Sequence, residues 1–550
     1  MLLMLMEDAR MQLLDVKAKN QSAGQWELPV SVTTTAVNLT GSWKFFRPQL
    51  VEKSAPCQAA CPLHVDIASY MRELVQRGRE AALARLRNFH PLPAVCGRVC
   101  PHFCQQNCNR RDFDQAVQTG SIERFLGDFG LDIPFPAPPA PRPERVAVIG
   151  SGPAGLSCAA FLARQGVRVT IYEKEKFPGG LLRYGIPAYR LPREILNREI
   201  DNLLHSLDIE LRCGREVKVA ELSALLEDYD YVFRAPGLGR PRLPAGIIRQ
   251  PGVATGLELL RDLADGGVPE GSSFVVIGGG NAAVDAARSL LRLGKDVRII
   301  YRRTLEEMPA YEDEKKQLLD EGITLCQQQL VTRVAAADGG RLLLTVSRAV
   351  VAGGSGIEAG DVIEELPVDG LVVAVGQQAA EDESFKHERL LRGGDLVSGP
   401  ATVVEAMASG KEAALQILSR CGLEEAVENG LPAGETENSI AVFDDLHLEY
   451  YQPQKAVMPV EERAADRRLS FVEVVPPLDE AEALAEAGRC FNCGSCNGCG
   501  ICWFFCPDLA IALMEDDAGT TVVIDEDHCK GCGLCAVSCP RAVIEMQEDM

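Results

Sequence analysis

At 550 residues and a formal net charge of −22, the chain is long enough for several domains and too acidic to seek nucleic acid or an anionic membrane surface. Hydrophobic residues make up 46% and charged residues 24%, ordinary for a globular protein, and no apolar run approaches the length of a membrane span. The opening M-L-L-M-L-M is short, lacks a basic segment and runs into Glu7 and Asp8, so it reads poorly as an export signal.

Residues 1–45 show no strong period and read as an N-terminal extension. From 46 to 133 the pattern is helical and rich in cysteine. Cys57-x3-Cys61-Pro62 is followed by an amphipathic helix over about Asp66 to Phe89. Cys96, Cys100, Cys104 and Cys108 then recur at a spacing of four, which on a helix puts the thiols on one face. A buried thiol stripe would look similar, but six cysteines beside prolines favour metal. Residues 134–144, rich in proline, form a stiff linker.

Residues 145–260 open with R-V-A-V-I-G-S-G-P-A-G. A strand, Val146 to Ile149, leads into Gly150, Gly152 and Gly155, with Pro153 and Ala154 between the last two. A helical pattern runs from Leu156 to Gln165, and a second strand, Val167 to Tyr172, ends at Glu173 and Lys174. This is the dinucleotide fingerprint: glycines for the turn and for close backbone approach, a helix N-terminus for the pyrophosphate, an acid for the ribose. The loop from Phe177 to Pro192, with Gly180, Leu181 and Arg190, is expected to cover the cofactor.

Residues 261–380 hold a second such fold. A strand from Phe274 to Ile277 precedes Gly278, Gly280 and Ala283 in G-x-G-x-x-A spacing, with Asn281 and Ala282 opening the helix to about Leu293. The next strand, Val297 to Tyr301, ends in Arg302 and Arg303. An acid there would suit NAD; arginines suit a 2′-phosphate, hence NADPH. A solvated arginine pair is the alternative. A buried strand, Val368 to Gly376, closes this part. In residues 381–424, Gly394 and Asp395 sit at a strand end and a helix opens near Thr402, so the first fold is interrupted by the second and then resumes.

Residues 425–485 are acidic and read as a tether, with a helix at Leu478 to Gly488. Residues 486–550 carry two C-x2-C-x2-C-x3-C-P runs, the two-cluster ferredoxin spacing in which the fourth cysteine of each run serves the other cluster. Cys496, Cys499, Cys502 and Cys539 are therefore assigned to one [4Fe–4S] cluster, and Cys529, Cys532, Cys535 and Cys506 to the other. Zinc does not need such runs.

These motifs, with G-G-L-L-R-Y-G-I-P, Y-R-R-T-L-E-E-M-P-A and H-P-L-P-A-V-C-G-R-V-C-P, resemble the small (β) subunit of NADPH-dependent glutamate synthase from about Trp43 to Cys421. The resemblance implies FAD at the first fold, NADPH at the second, and two clusters in the helical domain. One would use Cys61, Cys100, Cys104 and Glu123. The other would use Cys57, Cys108 and two cysteines of an upstream R-C-x-x-C that is missing here. An R-C-x-x-C stands instead at Arg489–Cys493, and Cys490 and Cys493 are surplus to the ferredoxin motif, so we expect them to complete that cluster. A further departure is Pro236, where the family usually has Thr.

The expected fold is multi-domain α/β: a helical iron–sulfur domain, two Rossmann-like domains with the NADPH domain inserted in the FAD domain, and a C-terminal α+β ferredoxin-like domain. The expected function is an NADPH-dependent oxidoreductase subunit that passes electrons through FAD and four [4Fe–4S] clusters to a partner catalytic subunit or ferredoxin, in a cytoplasmic hetero-oligomer. No general acid or base is needed for hydride transfer, and no redox cysteine pair lies beside the flavin fold. A standalone NADPH:ferredoxin oxidoreductase and a non-catalytic assembly subunit with structural clusters are the alternatives.

Overall fold

Short apolar runs, each followed by a glycine loop and a helix, build two parallel sheets. The computed structural model describes residues 39–244, 246–351, 356–379, 385–423, 440–516 and 519–549. It divides into two compact units, Val51–Cys499 with Cys539–Val543, and Met1–Leu50 with Gly500–Ser538 and Ile544–Met550.

In the larger unit the first sheet runs Leu390–Arg392, Tyr231–Arg234, Arg145–Ile149, Arg168–Tyr172, Glu210–Arg212, all parallel. Val146, Ala147, Val148 and Ile149 are all buried, because helices cover both faces of a parallel sheet. The second sheet runs Thr324–Gln327, Asp296–Tyr301, Ser273–Ile277, Gly370–Val373, Val253–Thr255. It lies in sequence between two strands of the first, so the nesting expected from the motifs is present. Its edge strand Val253–Thr255 pairs with Leu371–Val373, which moves the start of this fold ahead of residue 261. Three residues carry too little periodicity to announce a strand.

A three-stranded antiparallel sheet, Gln329–Ala336, Leu342–Val351 and Ile357–Val368, has no counterpart in the motif reading. Its Val331, Leu344 and Val346 pack with Val275 and Ile300 of the second parallel sheet.

The helical domain corrects two expectations. The amphipathic run is two helices, Ile67–Arg77 and Arg79–Phe89, because Gly78 takes φ 91° between them. The four-spaced cysteines do not share a helix either. Helix Pro93–Val99 stops before Pro101 and a new turn starts at Phe103. Helices Pro93–Val99 and Thr119–Gly130 cross closely: a Cβ on Gly127 would lie 2.2 Å from the Ala94 nitrogen.

The acidic stretch also differs from a tether. Residues 424–439 lie outside the described residues, but from 440 onward the chain is packed. The Val474 N–H donates to the Tyr189 carbonyl at 3.1 Å, and Arg98 meets Glu473 at 2.7 Å. Arg467, buried, meets Glu461 at 2.7 Å and Glu321 at 3.2 Å. Helix Glu480–Gly488 is capped by the Asp479 carboxylate. Charges in this stretch thus reach distant partners: Glu473 meets Arg98 and Arg124, and Arg467 meets Glu321.

In the smaller unit, strand Phe46–Leu50 pairs antiparallel with Ile544–Glu548, beside the hairpin Ile511–Asp516 and Gly519–Ile524. Two short helices, Ile501–Phe505 and Leu534–Val537, each follow a glycine. Residues 46–50 thus belong with the C-terminal module, not with the helical domain, and Gly41 donates to the Asp527 carbonyl at 2.7 Å.

Candidate flavin and iron–sulfur sites

The first sheet ends in a cleft of about 340 Å³ at the carboxyl edge of its strands, where open α/β sheets take ligands. Gly150 turns the chain at φ 101°, and a Cβ there would meet the Ala235 carbonyl at 2.3 Å. A Cβ on Gly155 would lie 1.9 Å from the Gly150 oxygen, so this glycine sets how closely helix Pro153–Ala163 approaches the strand. Gly152 faces open space and lets a ligand reach the backbone. Gly150, Gly152, Pro153 and Ala154 line the cleft.

Glu173 and Lys174 line it from the second strand end. The Glu173 carboxylate is buried and accepts from the Ser151 N–H at 2.9 Å, the Ser151 hydroxyl at 2.5 Å and the Glu175 N–H at 2.8 Å. It therefore fastens the glycine loop to the end of the second strand. Gly180 and Leu181 line the cleft from the covering loop, and Gly394, Asp395 and Thr402 from the resumed segment. Thr402 caps helix Val403–Arg420 in a reciprocal box with Glu405. Burial pushes the Asp395 carboxyl up to about 6, against the Ala401 N–H bond. Pro236 lines the cleft where Thr was expected.

Arg190 does not line it. Its guanidinium meets Asp285 at 2.7 Å and Glu314 at 2.8 Å. Gly376, at φ 102°, accepts from the Arg242 N–H at 3.0 Å. Tyr184 lines it from the covering loop, and Arg215 and Arg261 line it without a motif to mark them. Arg261 comes from the second domain and meets Glu175 at 3.1 Å.

In the second fold Gly278 takes φ 138° and Gly280 precedes helix Asn281–Arg292. The Asn281 side chain accepts from the Tyr311 N–H at 3.0 Å. Ala283 is buried and Ala282 half-buried. At the end of the next strand Arg302 is exposed and Arg303 half-buried, and neither makes a side-chain hydrogen bond or ion pair among the described residues.

Cys61, Cys100, Cys104 and Glu123 line one small cavity with Cys96 and Val404. Burial pushes the Cys61, Cys100 and Cys104 thiols up, and the neighbouring Glu123 adds to it. Cys57, Cys108, Cys490 and Cys493 form a second group. Burial, then Cys108, Cys490 and Cys493, push Cys57 well above the usual thiol range. Burial likewise pushes Cys490 up to about 11 and Cys493 up to about 12. The Asn109 side chain donates to the Cys493 sulfur at 3.5 Å. Buried Arg489 meets Asp114 at 3.1 Å and Glu486 at 2.6 Å, and Arg110 donates to its carbonyl. The R-C-x-x-C is thereby anchored to the helical domain of the same chain.

Neither three thiols with a carboxylate nor four thiols can ionise side by side without a cation among them, so these donor sets fit a cationic iron–sulfur core. Among the described residues no three His, Cys, Asp or Glu side chains are set to hold a single metal ion. In the smaller unit Cys506, Cys529, Cys532 and Cys535 line one cavity. The Ala510 and Gly531 N–H groups donate to the Cys506 and Cys529 sulfurs at 3.3 and 3.4 Å. Cys496, Cys499, Cys502 and Cys539 stand on their spacing.

Residues 144–397 match the pyridine nucleotide-disulphide oxidoreductase family, 50–132 the dihydropyrimidine dehydrogenase domain II with its 4Fe-4S cluster, and 495–543 a 4Fe-4S dicluster domain. The chain is 33% identical over 511 residues to the NADP(+)-dependent formate dehydrogenase subunit beta of Moorella thermoacetica, covering 80% of this chain and 70% of that protein. It is 37% identical over 298 residues to the NADPH-Fe(3+) oxidoreductase subunit beta of Geobacter sulfurreducens, covering 51% of this chain and 44% of that one. It is 32% identical over 377 residues to the NAD-dependent dihydropyrimidine dehydrogenase subunit PreT of Escherichia coli, covering 66% and 89%. With flavin-type and cysteine-lined sites in the order these domains require, the chain belongs to this family of NAD(P)H-dependent flavoprotein iron–sulfur oxidoreductase subunits.

Proposed function

We propose that the chain is an electron-input subunit that takes electrons from NADPH and delivers them to a partner catalytic subunit or a ferredoxin. FAD in the first cleft would accept the hydride, and four [4Fe–4S] clusters, two in the helical domain and two in the C-terminal module, would carry single electrons onward. The order of cofactors follows the likeness to the glutamate synthase small subunit. Gly150, Gly152 and Glu173 hold the dinucleotide; Arg302 and Arg303 offer two unengaged cations to a 2′-phosphate. Cys61, Cys100, Cys104 and Glu123 take one cluster, and Cys57, Cys108, Cys490 and Cys493 the next. A cysteine set of this kind suits a reducing cytoplasm, and among the described residues no helix is long and apolar enough to cross a membrane.

The observation that carries this reading concerns one helix turn. Val403 lines the flavin cleft and its neighbour Val404 lines the Cys61–Glu123 cavity. The wall between the two sites is the start of helix Val403–Arg420, short enough for an electron to cross without a further carrier. The test is anaerobic addition of NADPH to the iron-loaded flavoprotein. Bleaching of the flavin absorbance followed by paramagnetic signals from reduced clusters is the expected result. A flavin that stays oxidised sinks the reading.

A further inference from the structure

Helix Ile67–Arg77 buries Ile67, Tyr70, Met71 and Leu74, spaced along one face. Tyr70 is the exception on this apolar stripe. It is fully buried, yet its hydroxyl has no hydrogen-bond partner among the described residues. Buried hydroxyls are rarely left so. It packs in one buried core with Cys96 and Cys104, against which Cys61 and Cys100 of the first cysteine group and Cys57 and Cys490 of the second are set, and its nearest charges are Glu123 and Cys104, then Cys57 and Cys490. All four are acceptors when ionised. A phenylalanine would fill the same space, so the hydroxyl is the only thing that tyrosine adds.

We propose that the Tyr70 hydroxyl donates a hydrogen bond to a sulfur of the cluster held by Cys61, Cys100, Cys104 and Glu123, and so raises the reduction potential of that cluster relative to its neighbour. The inference rests on the cluster reading above. A donor to sulfur favours the more negative, reduced state, which is how hydrogen bonds tune such centres. Tyr70 acts on the cluster alone and binds neither flavin nor nucleotide.

The test is a redox titration of the full-length, iron-loaded protein followed by paramagnetic resonance, comparing wild type with Tyr70→Phe. Iron and flavin content should be unchanged. The midpoint of one N-terminal cluster should move negative while the other clusters stay in place. Fluorotyrosine introduced at position 70, a stronger donor of the same shape, should move the same midpoint positive. Midpoints that stay fixed in both variants overturn the proposal. If Tyr70→Phe loses iron, the fluorotyrosine protein decides alone, and an unmoved midpoint there overturns it. A wild-type protein whose iron count leaves no N-terminal clusters overturns the underlying reading, and that is seen before either variant is made.

Discussion

The Asn109 side chain donates to the Cys493 sulfur across 384 residues of sequence, at 3.5 Å. The contact closes the helical domain on an R-C-x-x-C that other chains of similar design would carry upstream of Cys57. On the four-cluster reading proposed above, Cys490→Ser with Cys493→Ser is expected to lose one cluster, about a quarter of the iron, with the flavin kept. Iron and flavin assays on the purified double variant check this. Full iron content would mean that Cys57 and Cys108 find other partners.

Val404 offers a test of the wall between flavin and cluster. Val404→Asp puts a carboxylate into a cavity already holding Glu123 and four thiols. An unpaired buried charge costs several kcal/mol, more than a cluster site can absorb beside its own anions. The expected outcome is loss of that cluster while flavin is retained and still bleached by NADPH. Electron delivery to an external one-electron acceptor should fall at least about tenfold, roughly 1.4 kcal/mol in barrier. Unchanged delivery would show that electrons leave the flavin by another route.

Gly150 to Glu173 was legible because its signal is local: strand, turn, helix and acid follow one another within a single supersecondary unit. The nesting of the two parallel folds was legible for the same reason, since each strand end carries its own glycine or charge. Pairings between distant segments were not. Nothing in F-R-P-Q-L says that Phe46–Leu50 will pair with Ile544–Glu548, because an edge strand of five residues has no partner written into it. Glu461, Glu473 and Arg467 look like a solvated run until their partners Arg98 and Glu321 are in place. The nearness of Cys490 and Cys493 to Cys57 and Cys108 was signalled by the displaced R-C-x-x-C and by two thiols left over from the eight-cysteine motif. Tyr70 and Val404 carried no signal, because a buried aromatic or valine on a helix reads as packing.

Arg302 and Arg303 should govern nucleotide choice. A charge-assisted hydrogen bond to phosphate is worth about 1.5–3 kcal/mol, so Arg302→Ala with Arg303→Ala is expected to raise the KM for NADPH roughly 10–100-fold. NADH, which lacks the phosphate, should change by less than about threefold. Steady-state flavin reduction with each nucleotide measures both. Equal losses would remove the 2′-phosphate from the assignment.

Glu321 is the centre of a buried ion network. Arg288 and Arg292 each reach it at 2.7 Å and Arg467 at 3.2 Å, with no exposure of the carboxylate. Removing one partner of a buried pair leaves charge uncompensated, at about 3–5 kcal/mol. Glu321→Gln is therefore expected to lower the unfolding midpoint sharply and to free the segment around Arg467. Limited proteolysis should then cut between residues 455 and 470 far faster than in wild type. Unchanged cleavage would mean that the segment is held by its backbone bonds, such as Val474 to Tyr189, rather than by charge.

Asp395 makes the cleft at the end of the first sheet sensitive to pH. Burial pushes its carboxyl up to about 6, against the pull of the Ala401 N–H and with a further push from Glu405. In the unfolded chain the same group titrates near its ordinary value of about 4. Between these values the folded chain holds a proton that the unfolded chain has lost, so stability falls as pH rises from about 4 to about 6. Below that window both states are protonated, and above it both are ionised, so the slope vanishes at either end. Asp395→Asn removes the titrating group and should flatten this part of the profile for the flavin-free protein. The measurement is the difference in melting temperature between wild type and variant across the window. Parallel curves would show that the Asp395 carboxyl is solvated in the folded chain and titrates as an ordinary acid.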